Sequence, residues 1–212
     1  QAEKLGLMVA IGGWVLEKGC FTLAEWGKHP DLRHVSLSIN VSASQLMHDD
    51  FEELVRETLD KTGADPQRLI LELTESMLVT DMELVIAKLD RLHKLGITNA
   101  LDDFGTGFSS LSYLRHLPFQ QIKIDKSFVQ DSVKSERGAS FVKNIVHIGR
   151  DLGHTVLAEG VETIEQHALL AHVGSVQFQG YLYGRPMALD DFQQRMENEA
   201  KRPAPKLVRA GR

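Results

Sequence analysis

Residues 35–40, Val-Ser-Leu-Ser-Ile-Asn, alternate apolar and polar side chains, the two-residue period of a strand with two distinct faces. From Ser44 the period lengthens. Leu46, Phe51, Leu54, Val55, Thr58 and Leu59 recur at helical spacing as far as Gly63, a residue suited to the left-handed position that ends a helix. The same grammar repeats along the chain and predicts strands over 69–73, 97–103, 121–125, 155–160 and 175–179. Helices are predicted between and after them over 81–95, 127–150, 161–173 and 188–200. A long opening helix is predicted over 5–26, with Leu7, Ile11, Trp14, Val15, Leu23 and Trp26 as its apolar stripe.

Six strands alternating with helices need crossovers that return the chain in one direction, which makes a parallel sheet and an α/β class. Polar residues close every strand: Asn40, Glu72, Asp102 with Asp103, Lys123 with Asp125, Glu159 and Gln179. A (β/α) barrel gathers all its strand ends around one mouth, whereas an open doubly wound sheet concentrates its site at one switch point. The pattern favours a TIM-type (β/α) barrel. Eight strands close such a barrel and six are found behind an opening helix, so the expectation is an N-terminally truncated barrel whose first two strands lie upstream. Residues 1–200 are then one domain, and 201–212, basic, proline-containing and aperiodic, a flexible tail.

The 212 residues carry 24 Lys+Arg against 29 Asp+Glu, a net charge of -5. That balance gives no long-range pull toward duplex nucleic acid or an anionic membrane, so a phosphate-bearing partner must be held locally or through metal ions. No run approaches the length of a membrane span, and the first residues lack a signal-peptide layout, which points to a cytoplasmic chain without direct membrane contact. The single cysteine, Cys20, has no partner for an internal disulfide and reads as a buried core thiol.

Taken singly, each strand-end acid reads as a helix cap or a solvated loop residue. Together, Glu72, Asp102, Asp103 and Glu159, with the amide of Asn40, form an all-oxygen set suited to Mg²⁺ or Mn²⁺. One lysine, Lys123, does not neutralise four carboxylates, and two divalent ions would; such a pair can clamp a phosphodiester for in-line displacement by water. Other chemistries fit poorly. The nine histidines show no zinc spacing, and GTGFSS (105–110) lacks the third glycine of a dinucleotide loop and follows two acids that would repel a pyrophosphate. His116 reads as a loop residue.

INVS (39–42), ELTES (72–76), DDFGTGFSSL (102–111), KIDKSFV (123–129), AEGVET (158–163) and QGYLYGRP (179–186) appear in the order and approximate spacing of the EAL-domain family. The sequence strongly resembles an EAL-type cyclic di-GMP phosphodiesterase from residue 1 to about residue 197. The resemblance implies a modified TIM barrel and metal-assisted hydrolysis of cyclic di-GMP to linear pGpG in bacterial second-messenger signalling. It implies metal ligands at Asn40, Glu72, Asp102, Asp103 and Glu159, and catalytic roles for Lys123, Glu159 and Asp103. Gln179 would line the substrate, Glu75 would anchor the loop after the Asp pair, and Asp125 and Glu162 would support Lys123 and the site loops. Asp125 also reads as a plain helix cap, and Phe104 and Phe108 either stack near a guanine or seat the loop. A homodimer through the loop after Asp103 and upstream sensory or GGDEF-type domains are implied as well.

Two departures stand out. Val176 occupies a position where the family usually has an acid, and the signature Glu-Ala-Leu would lie upstream of residue 1, so the chain on its own is expected to be nearly inactive. A receptor that binds cyclic di-GMP without cutting it is the alternative function, and a dimerisation domain with a vestigial site a third. The retained acids favour the enzyme.

Overall fold

The computed structural model describes residues 8–79, 81–107, 117–174 and 177–200. The expectations for the 201–212 tail, for Phe108, His116 and Val176, and for most of the loop after Asp103 lie outside the described residues. Six strands, β1 (Leu37–Asn40), β2 (Leu69–Thr74), β3 (Thr98–Phe104), β4 (Gln121–Ile124), β5 (Thr155–Ala158) and β6 (Gln177–Phe178), pair in parallel and in chain order. A doubly wound sheet reverses its order at a switch point; strict sequence order is the winding of a (β/α) barrel.

The register fixes which side chains share a face. Asn40 lies opposite Glu72, Thr74 opposite Asp102, Lys123 opposite Leu157, and Leu157 opposite Gln177. With the alternation of side chains along a strand, Asn40, Glu72, Asp102, Lys123, Glu159 and Gln179 all fall on one face. The other face of β2 carries Leu69, Leu71 and Leu73, and that of β4 Ile122 and Ile124, all buried in the core. Every residue of β4 is buried, as expected of a strand covered on both faces.

Two predicted helices are each divided. The stretch from Ser44 to Gly63 is α2 (Ala43–Leu46) and α3 (Phe51–Thr62): Ser42 and Gln45 form a capping box at the start of α2, and the polar run His48-Asp49-Asp50, which competes poorly for helix, separates the two. Gly63 closes α3 at φ 69. After α4 (Met82–Lys94) and β4, the predicted 127–150 helix is α5 (Lys126–Ser132) and α6 (Glu136–Asp151). Ser135 caps α6, and Gly138 lies so near α5 that a Cβ there would sit 2.3 Å from the Asp131 carbonyl oxygen. Without a side chain at 138, α6 can start across the end of α5. α7 (Ile164–Val173) opens on a Thr163–Gln166 capping box, and α8 (Leu189–Ala200) follows.

The opening helix, α1 (Met8–Lys28), corrects the predicted stripe. It packs against α3 and β1 through Leu16, Cys20, Leu23 and Trp26, while Ile11, Trp14 and Val15 are exposed, Trp14 at 65%. The sequence stripe joined two faces of one helix, of which tertiary packing uses only one. Cys20 is fully buried, as expected, and burial pushes its thiol pKa up to about 11. Among the described residues no helix is long and apolar enough to cross a membrane.

Candidate active site

Lys123 is the centre of the strand-end cluster. Its ammonium lies 2.7 Å from Glu72 Oε2 on β2, 2.9 Å from Asp102 Oδ1 on β3 and 2.7 Å from Glu159 Oε1 just beyond β5. The residue is 2% exposed. Burial by itself would drive a lysine toward its neutral form, but the hydrogen bonds to Glu159 and Glu72, with the charges around it, hold its pKa above the ordinary lysine value. A buried ammonium bonded to three carboxylates stays charged and fixes those carboxylates in turn.

The acids outnumber this cation. Burial raises the pKa of Glu159, and the charges of Asp102 and Glu72 add to the rise despite the contact with Lys123. Burial also raises that of Asp103, with the charges of Asp102 and Asp125 contributing. Ligand oxygens of Asp102, Asp103 and Glu159 lie within 4.8 Å of one another. Acceptor-only oxygens at that spacing, four carboxylates against one ammonium, fit a hard divalent cation. Glu72 is committed to Lys123, and Asn40 ends β1 exposed and level with Glu72.

Asp103 reaches this group by an unusual backbone. The β3–β4 register shifts between Leu101 and Phe104, and Asp103 takes φ 54, the left-handed region that Asp tolerates better than most residues. Its amide donates to Asp102 Oδ1 at 3.0 Å, and its carbonyl accepts from the Thr106 hydroxyl at 2.8 Å. Glu75, buried in the 3-10 turn after β2, accepts from the amides of Gly105 at 3.2 Å and Gly107 at 3.3 Å. Gly105 has φ 95, and a Cβ there would come within 2.9 Å of the Phe128 ring. The start of the loop after the Asp pair is therefore held between Glu75 and Phe128, and Phe104 is buried beneath it.

Asp125 caps α5, accepting from the Ser127 amide at 3.0 Å and from the Ser127 hydroxyl, and has no hydrogen bond to Lys123 among the described residues. Glu162 is exposed, and its amide donates to Gln166 Oε1 at 2.7 Å. Gln179 is exposed at the end of β6. Its amide donates to the Ala158 carbonyl at 2.8 Å and its carbonyl accepts from the Val161 amide at 2.9 Å, which straps it beside Glu159.

Three contacts near the site involve side chains assigned no role from sequence: Phe128 under Gly105, Gln121 bonded to Gln177 at 2.6 Å across β5, and the Tyr183 hydroxyl bonded to His167 Nδ1 at 2.7 Å. Strand alternation could have found the glutamines, since each lies two residues before a site residue. The other two depend on loop paths that no local pattern encodes.

A family model described as EAL domain matches residues 1–186. An uncharacterized signaling protein of Caulobacter vibrioides is 44% identical over 89% of this chain and 23% of its own length. The bifunctional diguanylate cyclase/cyclic di-GMP phosphodiesterase MucR of Pseudomonas aeruginosa is 40% identical over 88% of this chain and 27% of its own. The chain thus spans about a quarter of the length of these curated relatives. A solved structure of the PaMucR phosphodiesterase in complex with c-di-GMP superposes with a TM-score of 0.84 at 39% identity, over 90% of this chain and 77% of that one. The six parallel strands and their helices match the modified TIM barrel of such structures. By sequence, by fold and by the strand-end residues gathered on one face, the chain belongs to the EAL domain family.

Proposed function

We propose that this chain is the phosphodiesterase domain that hydrolyses cyclic di-GMP to linear pGpG. The observation that carries the reading is the buried Lys123 bonded to three carboxylates beside the Asp102–Asp103–Glu159 group. Divalent ions, Mg²⁺ or Mn²⁺, held by Asp102, Asp103 and Glu159 with Glu72 and Asn40 alongside, would supply Lewis-acid polarisation of the scissile phosphate and a lowered pKa for the attacking water. Lys123 steadies negative charge as it builds on the phosphoryl oxygens. Asp103 and Glu159, partly open to solvent, are the carboxylates positioned to take the proton of that water. Water adds to phosphorus and one ester P–O bond breaks, leaving a hydroxyl and a phosphate monoester. Gln179, strapped beside Glu159, orients the dinucleotide, while Glu75 keeps Asp103 in register and Asp125 and Glu162 support the flanking turns.

A homodimer through the loop after Asp103, a cytoplasmic setting and sensory or GGDEF-type domains in the same polypeptide belong to this reading; the bifunctional name of MucR supports the last. The test is to incubate the full-length protein with cyclic di-GMP and Mg²⁺ or Mn²⁺ and to follow pGpG by chromatography. Turnover in the wild type, lost by several orders of magnitude in Lys123→Ala and in Asp102→Asn, is expected. Tight binding of the dinucleotide with no pGpG under either metal would establish the receptor instead.

A further inference from the structure

Gln179 leaves β6 into a turn that holds it from both sides through one residue, Tyr183. Before Gln179, the ring of Phe178 stacks on that of Tyr183, with centroids 6.2 Å apart. After it, the Gly180 carbonyl accepts from the Tyr183 amide at 3.1 Å and from the Gly184 amide at 3.2 Å. The Leu182 amide donates to the Val161 carbonyl at 3.0 Å, which lays the turn along the residues that follow Glu159. Both chain neighbours of Gln179 are thus set by where Tyr183 stands. Tyr183 itself is 39% exposed, so packing alone does not fix it.

Two side chains from the flanking helices do. His167 of α7 bonds the Tyr183 hydroxyl at 2.7 Å. From α8, Arg195 donates Nη2 to the Tyr183 carbonyl, and its guanidinium lies so near the turn that a Cβ on Gly184 would fall 2.7 Å from Nη1. Nε of the same fork donates to Glu199 Oε1 at 2.9 Å, one helical turn further on, and this i,i+4 pair orients the guanidinium. α8 has no buried residue of its own. It rests on the end of α1 through Phe192 against Trp26, with centroids 5.5 Å apart, and through Glu197 at 3.5 Å from His29 Nε2.

We infer that Arg195 is a positioning residue: by holding the Tyr183 carbonyl it fixes the turn that presents Gln179 to the dinucleotide. The inference rests on the phosphodiesterase reading for the task of Gln179, and on the contacts of α8 for how that task is supported. Among the described residues Arg195 has no hydrogen bond or ion pair to the strand-end acids or to Gln179. Its loss therefore acts on how well the dinucleotide is held and leaves the metal group and the chemical step unchanged.

The test is a double-mutant cycle in the full-length protein, read on KM and kcat for cyclic di-GMP with Mn²⁺, or on Kd for any member that binds without cutting. Arg195→Met keeps the stem and removes the donors. It is expected to raise KM about fivefold with kcat nearly unchanged, the scale of one partly exposed hydrogen bond. In a Gln179→Ala background the same substitution is expected to add almost nothing, whereas a merely structural loss would add in full. Hydrogen exchange in EDTA reads the turn without substrate: peptides covering 180–184 are expected to exchange faster in Arg195→Met than in the wild type, and peptides covering β2 at an equal rate. Should Arg195→Met lower the melting temperature by several degrees, Arg195→Lys, which keeps the charge and loses the fork, takes its place in the cycle. An active or binding wild type matched by the variant, an effect undiminished by Gln179→Ala, or unchanged exchange at 180–184 overturns the assignment and leaves the phosphodiesterase reading standing. A wild type that neither binds nor cuts cyclic di-GMP overturns both.

Discussion

At Asp103 charge and backbone geometry can be separated by substitution. Asn tolerates the left-handed region nearly as well as Asp, whereas a β-branched residue there is strained by about 1–2 kcal/mol. In EDTA, Asp103→Asn is therefore expected to melt at or above the wild-type temperature and Asp103→Val below it, while both lose metal affinity; calorimetric melts in EDTA with separate metal titrations distinguish them. Glu159 supplies the pH counterpart. In EDTA, Glu159 and Asp103 hold their protons to higher pH in the folded chain than in the unfolded one. The folded state then binds more protons across that window, and these groups make stability fall as pH rises from about 4, the ordinary carboxylate value, through their raised folded values. Glu159→Gln is expected to flatten that slope, read as the difference in melting temperature between mildly acidic and neutral buffer. An equally steep slope in the variant would place the titrating group elsewhere. Much of this was legible in the sequence, because strand ends announce themselves by polarity. The interception of three carboxylates by Lys123 was not, since side-chain pairing across four strands has no local signature.

Elements show the same division between local and tertiary information. Capping boxes and closing glycines set helix ends that could be read within a few residues, whereas the divided helices needed their polar interruptions weighed against a continuing apolar period. The α1 stripe failed for a different reason: both of its faces are apolar, and only contact with α3 and β1 selects one. At the loop following β3, Glu75 supplies acceptors to two amides and touches none of the metal-group oxygens among the described residues. Glu75→Ala is thus expected to lower activity about tenfold or more, through weaker metal retention, and to recover partly in excess Mn²⁺. Lys123→Ala should show no such recovery. Equal rescue of the two would mean that Glu75 and Lys123 act in the same way. Tyr183 tests the segment after β6: Tyr183→Phe keeps the stack on Phe178 and removes the hydroxyl bond to His167. A higher KM with kcat nearly unchanged is expected if that bond steadies Gln179, and a fall in kcat alone would count against it.

For the whole molecule, the sheet order and the parity of strand-end residues followed from alternation and crossover rules applied to sequence, while the backbone turn at Asp103 did not. A cation that binds only the folded form stabilises it by about 2.7 kcal/mol at a hundred times its dissociation constant. Chelation is accordingly expected to lower the melting temperature of the wild type by several degrees and to leave Asp102→Asn nearly unmoved; a shift of equal size in both would put the stabilising ion at another site. Alternation alone would aim Asp103 away from Asp102, so its inward carboxylate reports the shape of one turn rather than the shape of the sheet. Glu72 and Asp102 stand on strands, and Glu159 follows β5 by one residue. Asp103 is thus hung on a turn that Glu75 pins, and a shift of the 104–107 segment is expected to work as a throttle on the proposed metal site while the strands keep their form.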